Sequence, residues 1–134
     1  MRRVSIVIAI CFVLAVVMSL TAQDPAALRP TMQAVNTTWT GLDAKIMAGD
    51  AAGVAADLGK LETLFKDAET FFTKSKMQEP AGWAKEQQAI FAEAKGKAGT
   101  IDKAAKATLG KCKQCHTVYR GGDATAGFSI KQKQ

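Results

Sequence analysis

At 134 residues and 14.2 kDa the chain has room for one domain. A hydrophobic fraction of 48% excludes a disordered tail or a collagen-like fibre, and 18 Lys and Arg against 12 Asp and Glu leave a net charge of +6. Beyond the first twenty positions Ala and Lys dominate over β-branched residues, which argues against a β-sandwich.

Met1-Arg2-Arg3 gives a short basic start, and Val4 to Leu20 follows without a charge. The small-residue stretch Ser19-Leu20-Thr21-Ala22 then precedes Gln23. This is the layout of a secretory signal over residues 1–22, cut after Ala22, with Thr21 as the alternative cut point. An uncleaved membrane anchor competes with that reading, since 17 residues are at the short end of what spans a bilayer. A lipoprotein fits less well, because Cys11 lies inside the apolar run behind Ile10. The expectation is an exported, periplasmic protein.

Without residues 1–22, Cys112 and Cys115 are the only cysteines and His116 the only histidine, and the charge falls to +4. The remaining charge is uneven. Residues 23–94 carry seven basic and ten acidic side chains, whereas 95–134 carry nine basic and two acidic.

Four amphipathic stretches predict an all-α, up-down-up-down antiparallel four-helix bundle over residues 23–122, followed by a tail from 123 to 134. Pro30 suits the first turn of helix one, where a missing N–H does no harm. Met32, Val35, Trp39, Leu42 and Ile46 then form a seam with alternating spacings of three and four. Gly49-Asp50 ends this helix and caps the next.

Helix two shows Val54, Leu58, Leu61, Phe65, Ala68 and Phe72, widened by Leu64 and Phe71. A break from Met77 to Pro80 precedes a weaker third seam of Trp83, Gln87, Ile90 and Ala94, with Phe91 beside it. Thr100 is the expected N-cap of helix four, which continues through Ile101, Ala105, Thr108, Cys112, Cys115 and Tyr119 until Gly121-Gly122 stops it. Short connections make consecutive helices antiparallel neighbours. Only Phe128 and Ile130 are available to hold the tail.

Cys112-Lys113-Gln114-Cys115-His116 is C-x-x-C-H, the attachment sequence for c-type haem. Two thiols three residues apart on a helix can each add to a porphyrin vinyl group, and the adjacent imidazole becomes the proximal iron ligand. Chance produces this pentad in about one chain of this composition in two thousand. A thioredoxin-like C-x-x-C belongs at a strand-to-helix junction, and no strand is evident in the sequence. A structural zinc site needs four ligands, and three are present, crowded into five residues. A disulfide across so small a loop stabilises little. One covalently attached haem c per chain is therefore expected.

The signal segment, four amphipathic helices and a late C-x-x-C-H running into Thr117-Val118-Tyr119-Arg120 resemble the class II c-type cytochromes, the cytochrome c′ group with its low-spin relatives. The resemblance covers about Arg29 to Arg120. Class I cytochromes, with the motif near the mature N-terminus, resemble the chain less.

The sixth iron ligand decides the function. No second His exists, both mature Cys bind haem, and Tyr119 shares the side of His116. Met32, Met47, Met77, a lysine or an empty position remain. In an up-down bundle the start of helix one is level with the end of helix four. Met47, fifteen residues beyond Met32, is about 22 Å away at 1.5 Å per residue and is excluded. Met77 is at the correct end but on a connection. Met32 is therefore the expected ligand, set against the plainer role of a core filler. Low-spin members of the family carry a Met near the start of helix one, four residues after an Arg; here Arg29 precedes Met32 by three.

His/Met ligation implies a single-electron carrier. An open distal face implies binding of NO or CO, as in cytochrome c′. No acid–base pair or nucleophile accompanies the motif, so no enzyme activity is expected. Lys103, Lys106, Lys111, Lys113 and Arg120 on the motif helix suit an acidic redox partner, with a solvated helix face as the competing reading. Nucleic acid is a poor third, for want of aromatics among the lysines. Arg29 is the candidate propionate contact, and Val35 and Gln33 the candidate distal neighbours of Met32. The family resemblance also implies a homodimer.

Overall fold

A computed structural model describes residues 24–123 and 127–131, so the proposed signal segment lies outside the described residues. The fold is helical, with one small two-stranded sheet at its C-terminal end. Among the described residues no helix is long and apolar enough to cross a membrane.

A 3-10 turn over Pro25–Leu28, capped by Asp24, leads into α1, Arg29–Met47. Pro30 stands in the first turn of α1, as its missing N–H requires. Gly49, at φ +67, reverses the chain, and Asp50 caps α2, Ala51–Lys74, by accepting the Gly53 N–H at 2.8 Å. α2 ends where Lys76 takes a left-handed conformation at φ +59. Met77 then leads into α3, Gln78–Lys95, with Pro80 in its first turn.

Two apolar clusters make up the core. One gathers Leu28, Ala68, Phe71, Phe72, Met77 and Tyr119, and Met32, Trp83, Cys115 and Ile130 pack against it. The other gathers Val35, Leu42, Val54, Leu58, Leu61 and Phe91. Phe65 packs against both, and its ring centroid lies 5.6 Å from that of Phe91. The expected seam of α2 is buried apart from a half-buried Phe65. That of α3 is rotated: Ala81, Ala84, Gln87, Phe91 and Ala94 are buried, while Trp83 and Ile90 are half-buried. Small alanines let α3 lie close against α2, and the bulky Trp83 stays at the margin.

The expected fourth helix is two helices. A 3-10 turn spans Ala98–Thr100, Asp102 and not Thr100 caps α4, Lys103–Leu109, and the chain breaks at Gly110 before α5, Cys112–Tyr119. Trp39 accounts for part of this, because a Cβ at Gly110 would stand 3.1 Å from its indole. The described part of the tail forms a hairpin. β1, Arg120–Asp123, pairs antiparallel with β2, Gly127–Ile130, so the boundary placed after residue 122 falls inside a strand. Gly122, at φ +71, approaches the Gly127 carbonyl so closely that a Cβ would stand 2.0 Å from it. Ile130 anchors the hairpin on the first cluster, and the Lys131 N–H donates to the Tyr119 carbonyl at 2.7 Å.

Candidate cofactor-attachment site

α5 brings Cys112, Cys115 and His116 together on one short helix. Cys112 and Cys115 stand about one turn apart on adjoining faces. Both thiols are free and half-buried, whereas His116 is exposed. Burial raises the Cys112 thiol above its ordinary range. Burial also pushes Cys115 up to about 11, and the neighbouring Cys112 and Glu79 add to the effect. In the closed fold both are protonated and weakly nucleophilic at neutral pH. For His116 the shift is downward, first from desolvation and then from the Arg120 charge, which favours the neutral imidazole that ligates metals.

Tyr119 is buried between α5 and α3. Its hydroxyl donates to Glu79 Oε2 at 2.6 Å, and its ring meets Trp83 edge-on at 5.8 Å. The hydrogen bond to Glu79, then burial, push its pKa up to about 12. Glu79 is missing from the sequence reading. It lies in the first turn of α3, and only the packing of α5 on that end shows that it faces the motif.

Met32 and Cys115 pack against the same buried cluster. Met77 also belongs to it. The chain between α2 and α3 turns inward and leaves Met77 only 8% exposed, so it needs no loop closure to reach the interior. Met47 is 83% exposed. Of the proposed distal neighbours, Gln33 is exposed and Val35 belongs to the other cluster, so neither joins Met32. Val35 stands one turn further along α1 than Met32, where the second cluster, with Leu42 and Phe91, begins.

Arg29 is the first residue of α1, and its guanidinium lies 3.4 Å from where a Cβ on Gly127 would stand, against the hairpin. Arg120 is stacked 3.7 Å over the Phe128 ring. The basic stripe is narrower than its sequence suggests. Lys106 is buried, paired with Asp43 at 2.8 Å and lying 4.8 Å from the Trp39 ring, and Lys111 is paired with Glu86. Lys111 is exposed like Lys103, Lys113 and Arg120, but its charge is offset by Glu86.

Among the described residues, no group of three or more His, Cys, Asp or Glu side chains converges as a site for a bare metal ion. Compared with protein families, curated proteins and solved structures, the chain matches none.

Proposed function

We propose that the protein is an exported, periplasmic monohaem c-type cytochrome of class II type that carries single electrons. One haem c is held by thioether bonds from Cys112 and Cys115, with His116 as the proximal ligand and Met32 as the distal one. The residues fit that group: two free thiols a helical turn apart, a histidine biased to its neutral form, and apolar packing beside Cys115. When bound, the haem supplies a one-electron couple, which His/Met ligation raises in potential. The protein's own part is to hold the imidazole on α5, keep the distal side dry, and present Lys103, Lys113 and Arg120 to an acidic redox partner.

The observation that carries the reading is the joint packing of Met32 and Cys115 on one cluster, with Met47 far out in solvent. It agrees with an up-down-up-down antiparallel bundle whose fourth position is filled by α4 and α5 in succession. Cross-helix partners that run in opposite directions support that arrangement: Glu62 with Lys95, Glu69 with Gln88.

The test is the mass and optical spectrum of the protein expressed with haem-attachment machinery. The mature chain should gain the mass of one haem, and lose that gain when Cys112 and Cys115 are both changed to Ser. A sharp reduced α-band and a weak far-red sulfur-to-iron band are expected in the holoprotein. A chain that never takes up haem refutes the proposal.

The second reading is a five-coordinate iron binding NO or CO. It is favoured by the same packing of Met32, since a methionine that fills a core gap need not ligate. A broad high-spin spectrum and ready CO binding would select it.

A further inference from the structure

We propose that Gln87 is the positioning residue for the motif helix: its buried carboxamide ties together the two sides of the Gly110 break and so sets where α5, with Cys112 in its first turn, begins. The consequence for the haem rests on the cytochrome reading above. The clamp itself does not.

Gln87 lies in the middle of α3 and is 3% exposed. A buried amide must find partners, because leaving its donor or acceptor unpaired away from water is costly. Its Nε2 donates to the Leu109 carbonyl at 2.8 Å, and its Oε1 accepts the Lys111 N–H at 2.9 Å. Leu109 is the last residue of α4, and Lys111 immediately precedes α5. A donor and an acceptor on one planar group thus satisfy one carbonyl and one N–H that a continuous helix would satisfy internally. The side chain stands in for the missing turn.

Neighbouring contacts fix the same point. Trp39 closes over Gly110, Lys106 reaches back to Asp43 on α1, and the Lys111 side chain pairs with Glu86 on α3. These three grip side chains or surface. Among the described residues Gln87 is the side chain that hydrogen-bonds the backbone on both sides of the break, and so it sets the direction in which α5 leaves it. A small rotation at Lys111 carries Cys112, Cys115 and His116 together, as one rigid helix.

Gln88 supplies the control. It is next in sequence, also partly buried, and donates to the Phe65 carbonyl and to Glu69 on α2, with no bond to α4 or α5. Gln87→Met and Gln88→Met each keep side-chain length and lose polar contacts, so both should lower thermal stability. In the full-length holoprotein, Gln87→Met is expected to speed exchange of the Lys111 amide about tenfold, the equivalent of one lost hydrogen bond. It should also shift the reduction potential and the reduced α-band. Gln88→Met should change neither.

Unaltered exchange at Lys111 in Gln87→Met overturns the proposal, and so do equal haem shifts in both variants. If Gln87→Met does not fold, Gln87→Glu carries the test, because it still offers the Lys111 N–H an acceptor oxygen. Retained protection of that amide supports the clamp, and exchange at the unfolded rate overturns it. Should the wild-type chain take up no haem, the cytochrome reading fails while the exchange measurement still decides on the clamp.

Discussion

Replacing Met32 separates a ligand from a core filler, because leucine matches methionine in volume and lacks its sulfur. Met32 is half-buried against the cluster that holds Leu28, Phe72 and Met77. Full burial of a methionine side chain contributes about 1.5–3 kcal/mol, so roughly half of that, about 1 kcal/mol, is at stake in Met32→Ala. For a domain near 100 residues this lowers Tm by about 4–8 °C. Met32→Leu keeps the contacts and should cost less than about 1 kcal/mol. A core filler therefore gives a graded series, with Leu close to wild type and Ala below it, in stability and in spectrum alike.

A ligand breaks that ranking. If the Met32 sulfur binds iron, Leu and Ala should lose the far-red sulfur-to-iron band equally, become high-spin, admit CO and fall in potential, although Leu remains stable. The assay is optical spectroscopy of oxidised and reduced holoprotein beside a thermal melt of each variant. A low-spin spectrum retained in Met32→Leu refutes the assignment. Met77, buried in the same cluster, is then the sulfur to replace, and the same pair of measurements on Met77→Leu settles it.

Three further outcomes are expected. Tyr119 is the only tyrosine in the chain, so phenolate absorbance reads it alone; its midpoint should lie near 12 in the folded protein and near the ordinary value of 10 when unfolded. Because the folded pKa is the higher one, its contribution to stability is complete below pH 10 and is lost as pH rises from there through 12; a folded midpoint at 10 would refute the Glu79 contact. Asp43→Asn should destabilise more than Asp57→Asn in chemical denaturation, although the ion pairs measure 2.8 and 2.7 Å and Asp57, at 17% exposed, is the more buried carboxylate, because the lysine left unpaired is 7% exposed at Lys106 and 36% at Lys45. With Asp43 itself 44% exposed, solvent screening reduces the loss to about 1–2 kcal/mol, against less than about 1 for Asp57; equal losses would contradict the argument. Gly122→Ala should undo the β1–β2 hairpin and expose the tail to proteolysis with helical circular dichroism unchanged, since φ +71 and the Gly127 carbonyl leave no room for a Cβ.

The parts of the fold legible in the sequence are those set by local chemistry. The α2 seam, the Asp50 cap and the place of Pro30 depend on spacing and on the nearest few residues, and the structure has them where expected. The motif is legible for the same reason: Cys112, Cys115 and His116 stand within five residues, and the structure has all three on one helix. What escapes is set by partners far along the chain. The seam through Thr108 and Cys112 reads as one helix because a single glycine such as Gly110 is tolerated inside a helical pattern; what makes it a break is Gln87 and Trp39, twenty-odd and seventy residues away. Lys106 reads as a surface charge until Asp43 and Trp39 close around it. Yet a signal was present. Gln87 occupies a seam position, and a polar side chain at a buried position must be paired with something. A buried amide with no candidate partner on its own helix predicts an irregular backbone opposite it, because regular helices have no free N–H or C=O to offer along their length. Read that way, Gln87 calls for a break in the helix that packs against α3, and Gly110 is the residue between its two hydrogen bonds that permits one.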